Sequence, residues 1–268
     1  MSVGLIATLV VGAAIAATIV VVWIVRRVYI AEGLRQGTED VEGFYITVLG
    51  AMYAVIVAFM IFVVWTAFDE AAGAVTHEAT VLGDVYRLAE ALPQAAQDPI
   101  QNACREYANA IVHDEWPAMA DGKGSPRVGA VTDTLWEYMY AVQVQALGTD
   151  DVRELLLNRV AELSEHRNAR LLRARSRLPG VLWGLLYFGC VLTVGFAAVF
   201  GVRHFFSHAL KAGVIAALIS AALFVIAALD HPFCGRVQVL PDSFEDVLEV
   251  FELTESRSAP AWQVTTQP

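Results

Sequence analysis

Charge is missing where a water-soluble chain would need it. No Asp, Glu, Lys or Arg occurs in residues 3–25, 44–68, 181–202 or 212–229. Over the whole chain of 268 residues, charged side chains make up 17% and hydrophobic ones 57%. A soluble domain carries about 25% charged residues. About 20 apolar helical residues cross the ~30 Å hydrocarbon core of a bilayer. Each charge-free stretch meets or approaches that length. A soluble helix buried on one side would show polar residues on its other face. The four stretches are therefore expected to be transmembrane helices. The first has no Lys or Arg before it and outruns a signal-peptide core, so a retained span is expected there.

Other absences narrow the function. Basic residues are few, 18 against 28 acidic ones, and the net charge of −10 argues against a nucleic-acid surface. Three cysteines with no CxxC spacing give neither a disulfide framework nor a zinc or redox motif. GxSxG, P-loop, GxGxxG and HExxH patterns are missing, so no enzyme and no cofactor is expected. No Asp, Glu, Lys or Arg interrupts the spans, whereas proton-coupled carriers place such groups there. A pore whose narrow part is apolar remains open to such a chain.

The expected fold is an all-α membrane protein with two transmembrane hairpins flanking a soluble helical region. Short polar links join the spans of 1–68 and those of 181–230, and short links favour antiparallel helix pairs. Residues 69–180 read as helix. Val75, Ala79, Leu82, Val85, Leu88 and Ala89 recur at helical spacing. Pro93 and Pro99 should break the helix, with a further one resuming over 100–119. Ala103, Tyr107, Ala110, Ile111 and Trp116 are its candidate core contacts. A glycine- and proline-containing loop at 121–126 precedes an aromatic-rich helix over 132–147. The next helix, 151–178, can be capped by Thr149 or Asp150. Residues 231–254 read as a proline-containing turn, then a short helix over 244–253 capped by Asp242 or Ser243. A polar disordered tail is expected over 255–268.

The candidate functional residues are modest. Arg167, Arg170, Arg173 and Arg177 form a basic stripe on the long helix. It could meet anionic lipid or an acidic partner, attract anions to a vestibule, or be a solvated face paired with nearby glutamates. Tyr53, Val57, Met60 and Val64 share one stripe of the second span and are candidate pore-lining residues; packing on neighbouring helices is the plainer alternative. His204 and His208 have a metal-compatible spacing without a third ligand, so no metal is expected. His113, Asp114 and Glu115 read as a solvated helix end. Arginines near membrane ends count slightly more on the side of 167–177 and 236 than on the side of 26, 27, 35, 203 and 211. The positive-inside rule then places both termini and the central helices in the cytoplasm, across a bacterial inner membrane.

The stretch Asp230, Pro232, Phe233, Gly235, followed by Pro241 and Phe244, resembles the terminal turn of the bestrophin-like family of bacterial and plant membrane proteins. Asn168, Ala169 and Arg170, then Arg173, Pro179 and Trp183, match a second stretch of that pattern. The resemblance covers nearly the whole chain. It implies a distant likeness to bestrophins, pentameric chloride-permeable channels whose second span lines an apolar neck. Implied partners are the lipid bilayer, further copies of the chain, and chloride or other small anions. Calcium-site residues of bestrophins find no match. The turn itself reads as structural, a brace for the spans. The alternative function is a membrane-anchored interaction protein whose helical middle binds a partner.

Overall fold

A computed structural model describes residues 3–30, 39–141, 149–199, 205–235 and 237–258. Among them every regular element is helical. The α-helices are α1 (Val3–Ile30), α2 (Glu39–Leu88), α3 (Gln94–Ala110), α4 (Trp116–Met119), α5 (Pro126–Ala141), α6 (Thr149–Arg175), α7 (Gly180–Val199), α8 (Phe205–Leu229) and α9 (Asp242–Ser258). Among the described residues, four helices are long and apolar enough to cross a membrane, over Val3–Val25, Gly43–Ala91, Gly180–Ala198 and Phe205–Leu229. The chain divides into two compact units, residues 1–67 with 177–231, and residues 68–176 with 232–268.

In the first unit α1 packs along α8, and α7 packs on both. Link length alone does not reveal that pairing, because α1 and α8 come from opposite ends of the sequence. Val22, Ala197, Ala198 and Ala212 form the buried contact. Small side chains let helix backbones approach closely where lipid offers no hydrophobic drive. The first part of α2 joins through Tyr53, whose hydroxyl donates to the Leu186 carbonyl at 2.8 Å.

The second unit has a conventional apolar core. Val75, Ala79, Leu82 and Val85 of α2 are buried, as their spacing requires, and so is Ala89 in the 3-10 turn that follows it. So are Ala103, Tyr107, Ala110, Ile111 and Trp116. Phe233, Val239, Phe244 and Phe251 belong to the same core, so the turn and α9 complete it.

Several boundaries differ from expectation for local reasons. α3 runs through Pro99, whose ring withholds one backbone N–H inside an otherwise continuous helix. α5 starts at Pro126, a position that suits proline because the first helical N–H has no partner. The Ser125 hydroxyl accepts from the Arg127 N–H at 3.2 Å, capping that helix. Residues 142–147 of the expected aromatic helix lie outside the described residues. α6 stops at Arg175, before Pro179, which disfavours helical geometry in the residue preceding it. α9 extends to Ser258, beyond the expected end at 253.

Between α3 and α4 the chain makes a π-helical turn, Ile111–Glu115. The widened turn inserts one extra residue into the helical register. It buries Glu115 completely, where the sequence suggested a solvated end. His113 remains exposed.

Candidate functional site

The basic stripe does not form one solvated face. Arg170 is fully buried and lies among carboxylates from distant elements. Its Nε donates to Glu78 Oε2 at 2.6 Å, and its Nη2 to Glu78 Oε1 at 2.9 Å. Nη2 also reaches Glu115 Oε1 at 2.7 Å. Nη1 lies 2.9 Å from the Met119 sulfur. Trp116 and Phe244 flank the guanidinium, with its carbon 5.8 and 5.9 Å from their ring centres. Arg167 bonds Glu115 Oε2 at 2.6 Å and the Ser125 carbonyl at 3.2 Å. Tyr107 donates its hydroxyl to Glu78 at 2.8 Å, and the Ser125 N–H donates to Glu115 at 2.8 Å.

Two guanidinium groups thus face two carboxylates. A lone buried charge would be very costly, and a paired, fully hydrogen-bonded set is the arrangement that tolerates burial. Burial alone would raise the Glu115 pKa. The hydrogen bond from Arg167 and the charges of Arg170 and Arg167 outweigh it, and the carboxyl sits below its usual range. Burial would lower the Arg170 pKa, yet Glu78 and Glu115 hold it above its ordinary value. Burial beside Glu78 pushes the Tyr107 hydroxyl well up. Glu115 and Arg170 are thereby held in their charged forms and Tyr107 in its neutral form, so the cluster braces the core. Arg173 pairs with Glu70 at 2.6 Å nearer the surface, and Arg177 is exposed.

The turn residues divide between the two units. Asp230 Oδ1 accepts from the Leu178 N–H at 2.7 Å, and Oδ2 from the Trp183 indole at 3.2 Å. It thereby satisfies backbone at the start of α7, two residues before the first helical position. In the second unit, Pro232 is buried, and its carbonyl accepts from the Val239 N–H at 2.7 Å, closing the loop. Gly235 holds φ +95°, a conformation that side chains disfavour. Phe233 meets Trp116 edge-on with ring centres 5.6 Å apart. The Pro241 carbonyl accepts from the Phe244 and Glu245 N–H groups at the start of α9.

On α2, Tyr53, Met60 and Val64 are buried within the chain, and Val57 is half-buried. Tyr53 lies against α7, where Gly189 leaves the room its ring occupies. The opposite face is bare: Met52, Val55, Phe59 and Phe62 are 59–70% exposed. His208 is buried, and its Nε2 donates to the Ala197 carbonyl at 2.8 Å. His204 lies outside the described residues. No group of three or more metal-ligating side chains occurs among the described residues.

The sequence profile of the Bestrophin-like domain matches residues 12–244. The chain belongs to the bestrophin-like family. A crystal structure of a bacterial bestrophin homologue from Klebsiella pneumoniae superimposes with a TM-score of 0.72 at 13% identity, covering 92% of this chain and 98% of that one. A point mutant of that homologue gives 0.70 at 14% identity, over 92% and 99%. Another crystal structure, described only as that of a membrane protein, gives 0.69 at 12% identity over 92% and 96%. No curated protein matches the chain. At these identities the superpositions show that this bestrophin-like protein shares the fold of the bacterial homologues. Sequence reasoning missed Glu78 and Glu115 as partners of Arg170. A glutamate among the apolar positions of α2 was the available signal for the first, while the π turn hid the second.

Proposed function

We propose that the protein is an oligomeric channel for chloride or other small anions, with the second span at the pore. The observation that carries this reading is the bare face of α2. Met52, Val55, Phe59 and Phe62 form an exposed apolar stripe without a charged residue. Repeated around an axis by further copies, such a stripe makes a constriction that gates by dewetting. The positive edges of the phenylalanine rings suit an anion passing a dry neck. This face replaces Tyr53, Val57, Met60 and Val64 as the proposed lining, because packing inside one chain already uses that stripe. A ring of five copies in the bacterial inner membrane, with termini and central helices in the cytoplasm, accords with the family's channels.

Planar-bilayer recording of the purified protein tests the reading. Chloride conductance is expected, and Phe59→Ala and Phe62→Ala should raise it or hold it open. Absence of conductance at any voltage, together with a monomer by mass photometry, would overturn it.

A further inference from the structure

The spans carry a second exposed feature, which no residue of α2 lines. Between α1 and α8 lies an apolar groove of about 370 Å³, open along one side. Ile15 and Ile19 form one wall, and Phe206, Leu210 and Val214 the other. Its floor is where the two helices come closest. A Cβ added at Gly213 would stand 3.6 Å from the Ile15 side chain.

Beyond the groove, α1 carries polar residues on the same line. Ile15, Ile19, Trp23 and Arg27 follow one another at four-residue spacing and so share a face of α1. Arg27 lies with its guanidinium carbon 5.1 Å from the Trp23 ring centre. Trp23 is half exposed, and Arg27 is exposed. Tryptophan and arginine in this order are the signature of a membrane interface: the ring sits at headgroup depth and the guanidinium reaches the phosphate layer. Twelve residues of helix separate Ile15 from Arg27, which is about 18 Å. That matches the ~15 Å from the bilayer midplane to its interface.

We propose that this groove is a binding site for one anionic phospholipid, with an acyl chain along Ile15, Ile19 and Leu210 and the phosphate against Arg27. The apolar wall and the cation occur on one line at the spacing of a lipid's own two parts. A protein helix docking there would leave the guanidinium without a counter-charge. An anionic headgroup is favoured over a zwitterionic one, whose ammonium would oppose Arg27. Neither Arg27 nor the groove belongs to the proposed pore stripe, so lipid binding and conduction can be tested apart.

Native mass spectrometry of the purified full-length protein, given equal phosphatidylglycerol and phosphatidylcholine, provides the test. Wild type should retain phosphatidylglycerol preferentially. Arg27→Gln should reduce that preference about fivefold, the effect of one basic group at a membrane surface, while Arg27→Lys keeps most of it. Ala217→Phe, which fills the groove, should lower retention of both lipids. If Ala217→Phe fails to assemble, Leu210→Cys in a Cys234→Ser background can be capped with a bulky maleimide after purification, with the same expectation. Unchanged lipid retention after either filling would overturn the proposal. So would efficient cross-linking of Leu210→Cys to a second copy in lipid membranes, since a protein helix would then occupy the groove.

Discussion

Arg170 grips Glu78 with two nitrogens, at 2.6 and 2.9 Å, and neither side chain touches water. Removing one partner strands the other. Glu78→Gln should cost about 3–5 kcal/mol of stability, the usual penalty for an uncompensated buried charge. Pairing it with Arg170→Met should cost less than the two single changes summed, because the stranded charge is gone. Thermal unfolding of the purified protein in detergent reads both.

Glu115 confers an acid limit. Its folded pKa lies below the unfolded value because Arg167 and Arg170 favour the carboxylate. The unfolded state therefore binds the proton more readily. The stabilisation is complete above the unfolded carboxyl value, about 4.3, and fades as pH falls through the lower folded value. Unfolding midpoints measured from pH 6 to pH 3 should decline, and Glu115→Gln should flatten that decline while lowering the midpoint at pH 6.

Asp230 ties down the entry to α7. Asp230→Ala removes the acceptor for both the Leu178 N–H and the Trp183 indole. A loss of roughly 1–2 kcal/mol is expected. Trp183→Phe should lose less, since the backbone bond survives. Unfolding midpoints that rank the two variants in the opposite order would contradict this role.

Tyr53 and Gly189 separate shape from hydrogen bonding at one contact. Gly189→Ala pushes a methyl group into the Tyr53 ring and should cost about 1–3 kcal/mol. Tyr53→Phe keeps the ring but loses the bond to Leu186, which is worth roughly 1 kcal/mol. Detergent unfolding curves should show the glycine change as the more damaging.

The thiols differ in access. Burial pushes the Cys104 thiol up to about 12, whereas Cys234 is exposed. Thiolate is the reactive form. Maleimide at neutral pH should label Cys234 promptly and leave Cys104 untouched until the protein unfolds. Peptide mapping of the labelled protein distinguishes them.

The spans were legible because bilayer physics writes itself as uninterrupted apolar blocks, and charge-free stretches need no tertiary context. The core-facing positions of α2 and α3 were legible for a similar reason, since helical spacing repeats locally. The partners of Arg170 were not. Their pairing joins residues 92 and 55 positions apart, and the stripe of four arginines looked uniform along one helix. Only packing separates buried Arg170 from exposed Arg177. The π turn was equally hidden, because an added residue within a helix leaves no periodic trace in five positions. The second-span stripe was ambiguous for the opposite reason. Both of its faces are apolar, so composition could not tell the packed side from the bare one.

Phe233, Phe244 and Phe251 seal a core whose other walls come from residues synthesised far earlier. Arg170 and Trp116 await Phe244, and Tyr86 awaits Phe251, whose ring stacks on it at 4.0 Å. The ribosome must therefore finish the fourth span before these helices can close. Until then the earlier helices lack the aromatic walls of their core, and apolar surface left open in that way favours aggregation.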